Sequence, residues 1–218
     1  ADAANNNISI TAWMPHFSFN DTEYHSSSLY AKGRSDSIEV LAQTEKMFGD
    51  IPVKVACSIP AAYNTIYPHI DWKTIGSNGT QGHISAVCRL LPEIGGNGSA
   101  YITLEPSSFS ILDSVWTISP ARISIASDGI NMTPLEIRKD NQYISLKHIN
   151  TDNPSFLLTF NALEVSHLQD LLNFHPVDFT GHLYGTAWIP SPKNNSPEIT
   201  AQLKVNDFTF QDGDMGTL

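Results

Sequence analysis

The chain has 218 residues, enough for one β domain of ordinary size or two small ones, and 41% of them are hydrophobic, which supports a folded core. With 12 Lys and Arg against 22 Asp and Glu the net charge is −10; no basic run exists, and a phosphate backbone would be repelled, so nucleic acid is excluded as a partner. Charged residues make up only 16%, below the usual quarter, and Ser, Thr and Asn take their place on the polar sides of strands, as suits an exported β protein.

Short alternating segments rich in β-branched and aromatic residues dominate, separated by Pro, Gly, Asn and Asp about every ten residues. In chain order the predicted strands are 7–14, 27–33, 37–44, 51–59, 82–91, 99–104, 115–119, 122–126, 130–133, 135–138, 143–148, 155–162, 181–189, 198–205 and 208–211. Turns are expected at Ser127-Asp128-Gly129, at 139–142 and at Asp212-Gly213-Asp214. Tyr63–Gly79 has mixed periodicity and reads as a loop crossing the sheet. One segment breaks the β pattern: Leu163, Leu168, Leu171 and Leu172 share a helical face, which predicts a short helix over Val165–Asn173, with Pro176 marking its end and an edge of the sheet beneath it. The whole is read as a single β segment, with a weak sub-boundary at the Gly-rich stretch 92–99.

The C-terminal stretch is the most informative. Gly181, Leu183, Gly185, Ala187 and Ile189 fall on one side of a period-two pattern, and after a Pro/Asn/Ser turn Ile199, Ala201, Leu203 and Val205 do the same. The opposite side carries Thr200, Gln202, Lys204 and Asn206. The pattern has not finished at Leu218, so the chain is expected to be a piece of a longer repetitive β-structure. No stretch approaches the ~20 apolar residues of a membrane helix, and any anchor is expected outside this piece.

Chemistry-bearing motifs are missing. No nucleophile elbow, metalloprotease helix, P-loop or dinucleotide fingerprint occurs, and no cofactor or metal is called for. The eight histidines, His16, His25, His69, His83, His148, His167, His175 and His182, are scattered and read as solvated polar positions. Cys57 and Cys88 sit on the apolar sides of their strands and read as buried free thiols, with a disulfide open in an oxidising compartment. Trp13, Trp72, Trp116 and Trp188 are too dispersed for a sugar platform and suit rim or core packing.

From Ser99 to Leu218 the order of elements resembles the TamB family within the wider AsmA-like group. The carrying residues are NALEVSHLQDLL, then GHLYGTAWI, then PEITAQLKVNDFTFQDGDMGTL, with an upstream repeat containing Trp116, Pro120, Ile123, Ile125, Ile130, Leu135, Ile137, Ile144 and Leu146. The resemblance implies an elongated, curled, taco- or gutter-like, mostly antiparallel β-sheet with a hydrophobic concave interior. It also implies a periplasmic, non-catalytic protein of outer-membrane biogenesis, with its parent anchored in the inner membrane of a Gram-negative bacterium. Its cargo would be phospholipid acyl chains, unfolded outer-membrane proteins, or both. A TamA-like outer-membrane barrel would be met through other parts of the parent protein. The Asn/Ser-rich turns suit a Bacteroidota member.

The residues themselves leave two architectures open. Many apolar-faced strands and one short helix make either a closed β-sandwich, as in a secreted binding or adhesion module, or a curled sheet with a greasy channel. In the second case the lining is expected from Ile123, Ile125, Ile144, Leu146, Phe156, Leu158, Phe160, Leu183, Ile189, Ile199, Ala201, Leu203 and Val205.

Overall fold

The computed structural model describes residues 7–20, 22–48, 51–76, 79–92, 98–111, 114–127, 129–150, 155–167, 179–190, 198–210 and 213–216. The period-two pattern becomes eighteen strands: β1 (Ile8–Phe19), β2 (Thr22–Gly33), β3 (Ser37–Phe48), β4 (Ile51–Ala62), β5 (Thr65–Ile66), β6 (His69–Thr74), β7 (Gln81–Leu91), β8 (Ser99–Leu104), β9 (Ser107–Ile111), β10 (Ser114–Ile118), β11 (Ala121–Ala126), β12 (Gly129–Met132), β13 (Leu135–Lys139), β14 (Gln142–Ile149), β15 (Ser155–Glu164), β16 (Phe179–Pro190), β17 (Thr200–Phe210) and β18 (Gly213–Gly216). All belong to one antiparallel sheet. The ladder follows the chain: β1 to β4 in succession, then β5 with β6, then β7, then β8 with β9, then β11 with β10, then β12 with β13, then β14 to β18 in succession. Extended contacts are made between ladder neighbours, so this is an elongated single-sheet meander, not a two-sheet sandwich. No helix among the described residues is long and apolar enough to cross a membrane.

Several expectations are corrected. The segment 63–79 is not a crossing loop; it supplies β5 and β6, which pair with β4 on one side and β7 on the other. β9 and β18 were not foreseen, and 198–205 and 208–211 are parts of the continuous strand β17. β7 and β8 pair from Ala86↔Leu104 to Leu91↔Ser99, so the ladder is continuous across the Gly-rich stretch. A helical turn begins at Val165 and continues to His167; the rest of the expected helix, with Leu168, Leu171 and Leu172, lies outside the described residues.

Four prolines organise the middle of the sheet. Each pair of half-strands is one strand interrupted at a proline: Pro68 between β5 and β6, Pro106 between β8 and β9, Pro120 between β10 and β11, Pro134 between β12 and β13. Proline has no N–H to give to a ladder and is normally kept out of central strands. Here the interruptions lie opposite one another, so the loss is concentrated on one line across the strands. Backbone bonds still bridge that line, with Tyr67 N–H donating to Pro60 O at 2.8 Å, Ala86 N–H to Pro68 O at 3.0 Å and Glu105 N–H to Ser85 O at 2.9 Å. Hydroxyls take up the amides left over. Glu136 N–H donates to Ser119 Oγ and Arg122 N–H to Thr133 Oγ1, both at 2.9 Å, and Ser85 N–H donates to Ser107 Oγ at 3.2 Å. Two of the three hydroxyls belong to the residue just before a proline.

Packing shows that the sheet curls toward its apolar side. Ile111 and Trp116, on β9 and β10, share a buried cluster with Leu163 and Leu183, on β15 and β16. Trp116 and His167 have ring centroids 5.7 Å apart and meet edge to face. Three ladder steps separate β10 from β15, which in a flat sheet would be about 14 Å. Only curvature about the apolar face brings them together.

β16 needs its glycines at the close approach to β17. Gly185 has φ +134°, and a Cβ there would run into the Gln202 carbonyl oxygen and crowd Leu203 Cα. Gly185→Ala is therefore expected to cost about 1–3 kcal/mol in urea unfolding. Gly33→Ala, where the nearest atoms stand at 3.9 Å, should stay within about 0.5 kcal/mol of the parent.

Candidate functional site: one continuous apolar face

Cross-strand register decides which side chains share a face. One row of partners runs Ile118, Ile137, Ile144, Phe160, Gly185, Leu203 over six strands. A second runs Leu135, Leu146, Leu158, Ala187, Ala201. Towards the other end of the ladder a third runs Ala12, Leu29, Ala42, Cys57, Ile70, Ile84, and a fourth Leu90, Ala100, Ile125, Ile130. Phe156 pairs with Ile189, Leu163 with Leu183, Leu183 with Val205, and Ile123 with Ile102. Every lining residue expected from the sequence thus lies on one face, apart from Ile199, which stands just before β17 and is exposed.

Three bulges keep that face continuous. In β2, β15 and β17 an extra residue takes a left-handed conformation: Ser26 at φ 48°, Ala162 at 48° and Asp207 at 52°. A bulge puts two residues opposite one and resets the alternation. In β15, Phe160 and Leu163 point the same way because Ala162 intervenes, which delivers Leu163, 2% exposed, to the buried cluster.

The face is only partly covered. Trp116, at 3% exposed, and its cluster fill one region, backed by Phe109 stacked at 6.3 Å. Elsewhere the same face meets solvent: Leu203 is 52% exposed, Leu90 46% and Ile70 38%. Ile70 carries the most weight, because β6 lies inside the ladder with β4 and β7 on either side. A sandwich core would have buried it under a second layer.

The opposite face is polar and holds the scattered histidines that the register collects. Asp71 Oδ2 lies 2.9 Å from His69 Nε2, and His69 Nδ1 lies 2.6 Å from Ser85 Oγ. These are the residue types of an acyl-transfer relay, which also requires donors aimed at a developing oxyanion. The backbone N–H groups of Ser85 and Ala86 are spent, the first on Ser107 Oγ and the second on Pro68 O. The cluster lies across β6 and β7 as a polar clasp beside a shallow depression of about 460 Å³ lined by Lys54, Lys73, Gln81 and His83. His182 Nδ1 lies 4.0 Å from Asp207 Oδ2.

Two histidines depart from the solvated reading. His148 lies on the apolar face against Phe156, ring centroids 5.2 Å apart, and His167 packs on Trp116. Cys57 and Cys88 are both free and half-buried on the apolar face. Trp116 and Trp72 are on the apolar face, while Trp13 and Trp188 are exposed. Ser85 joining His69 and Asp71, and Glu23 joining His16 and His25, were missed in the sequence, because pairing across strands is invisible until register is known.

Two outcomes follow. Ile70→Lys and Leu203→Lys should each lower Nile red fluorescence at equal protein concentration, with unchanged far-UV circular dichroism and stability within about 1 kcal/mol; Gln202→Lys, on the polar face, should not. Burial pushes the Cys57 thiol above its ordinary pKa, which lowers its thiolate fraction at any given pH. In a Cys88→Ala background Cys57 should therefore react with iodoacetamide at pH 8 more slowly than glutathione does. Comparison with known proteins gives no match: no family model, no curated protein and no solved structure matches this chain.

Proposed function

We propose that this chain is a non-catalytic stretch of a TamB-like β-groove that receives phospholipid acyl chains along its apolar face, in the periplasm of a Gram-negative bacterium. The observation that supports the reading best is the solvent-accessible apolar surface at Ile70, inside the ladder, on a face whose apolar character continues from Ala12 to Leu203. A soluble domain normally covers such a face, and exposed continuous apolar surface marks a binding site for apolar matter. Each methylene moved from water onto it contributes ~0.8 kcal/mol before ordering costs. The headgroup would stay at the polar rim, and the row from Ile118 to Leu203 spans about 24 Å across the strands, so a chain can shift from row to row without meeting a charged step. No bond is made or broken, and movement is diffusion along the face. Unfolded outer-membrane proteins, whose strands are apolar on alternate residues, are the second cargo this surface suits, and a TamA-like barrel is the partner expected of other parts of the parent.

The test is photo-crosslinking in cells with a photoreactive residue at Leu203 and, as control, at Lys204. Phospholipid adducts at Leu203 and not at Lys204 are expected. Protein adducts alone at Leu203 would transfer the role to polypeptide cargo. No adduct at either position, in a folded protein, would overturn the groove.

A further inference from the structure

We infer that the β1–β2 hairpin carries a site for a divalent transition-metal ion, built from His16, Glu23 and His25. The inference is independent of the proposed cargo. His16 and His25 are direct cross-strand partners, and Glu23 lies two residues beyond His25 on the same strand. Each imidazole Nε2 is 3.9 Å from the same carboxylate oxygen, Glu23 Oε2. The rings lie 4.9 Å apart between centroids, and one donor atom from each of the three residues falls within 4.8 Å of the others.

A backbone irregularity produces this grouping. Simple alternation would put His16 on the same face as Met14 and Ala12. At the step where Pro15 faces Ser26, Ser26 takes φ 48° and β2 gains a residue against β3. Beyond it the faces exchange: Phe17 and Tyr24 stack at 4.9 Å on the apolar side, and His16 and His25 move to the polar side, where His25 pairs with Glu45. Bulges re-aim side chains in this way near sites. The carboxylate and both rings make side-chain polar contacts only with one another among the described residues.

The chemistry of the donor set selects the ion. Two imidazoles and a carboxylate suit Zn²⁺, Ni²⁺ and Cu²⁺ over Mg²⁺ or Ca²⁺, which prefer all-oxygen shells. Donors around a tetrahedral zinc stand about 3.4 Å apart, given bonds near 2.1 Å. The 3.9 Å His–Glu separations must close by about half an ångström, and the widest donor pair, within 4.8 Å, by at most about 1.4 Å, which side-chain rotation on a fixed ladder supplies. Solvent completes the shell, and Glu45 lies one strand away on the same face. Such an ion would clip β1, which pairs only with β2 among the described residues, onto the sheet.

The test is calorimetric titration of the whole chain with zinc chloride alone in a non-chelating buffer, repeated with His16→Asn, His25→Asn, Glu23→Gln and, as control, His69→Asn. One site per chain is expected. Its affinity should fall about tenfold or more in either His16→Asn or His25→Asn, since even groups that only support a ligand cost that much, and stay unchanged in His69→Asn. His16 and Glu23 are exposed and His25 and His69 half-buried, and circular dichroism checks the fold of each variant. Absence of one-to-one binding in the parent overturns the site. So does binding that survives both histidine substitutions, or that is lost in His69→Asn, which would assign the ion to the His69, Asp71 and His83 group.

Discussion

Among the described residues, a sheet of eighteen strands without a second layer depends on side-chain parity. If one strand in the series slipped by a residue, its aliphatic set would turn to the polar face and the next strand would have nothing apolar to meet. The chain maintains parity over a long ladder whose strands differ in length, and it does so with local corrections. Ser26, Ala162 and Asp207 each absorb one extra residue in a left-handed turn of the backbone. A non-glycine residue in that region costs of order 1–3 kcal/mol. The return is an uninterrupted apolar surface from Ile118 through Leu203 and a buried position for Leu163.

The proline line is the second device. Central prolines would be expected to break an antiparallel sheet, since each removes a ladder donor. Aligned at neighbouring strands, they confine the damage to one seam, where Ser107, Ser119 and Thr133 accept the stranded amides. The bulges at Ser26, Ala162 and Asp207 lie on the same side of this seam, five or more residues along the strands. The seam and the bulges are the places where a uniform twisted ribbon is interrupted, and bulges raise local twist and bend a strand. The curl that joins Trp116 to Leu163 and His167 lies on the bulged side.

Coverage of the apolar face is uneven, and this links the fold to the proposed function. Around Trp116 the curl is tight enough for side chains to bury one another, and that region can supply stability. Around Ile70 and Leu90 the face stays open. A closed core would gain more burial at those positions, so their exposure is a cost to folding that an apolar guest would offset. The polar face, by contrast, carries its charges in small cross-strand groups, His16 with Glu23 and His25, and His69 with Asp71 and Ser85, which apolar alternation has no part in assembling.

The all-β class, the amphipathic strands and the sharing of one face by their aliphatic residues were legible in the sequence, because a half-buried strand must alternate with period two. Leu183, Ala187, Ala201 and Leu203 announced their common side before any partner was known. The sequence could not show that Tyr67-Pro68 interrupts a strand, where mixed periodicity suggested a loop, nor that Phe160 and Leu163 share a face across a bulge. Both depend on the neighbouring strand supplying hydrogen bonds at the irregular step. Whether the apolar face would close or stay open was also undecided, since the same aliphatics serve a sandwich core and a groove. The one-residue pattern along each strand was therefore determined by sequence alone. Register, curl and the meeting of distant polar side chains were decided by tertiary structure, because they are set by hydrogen bonds between segments that are not adjacent in the chain.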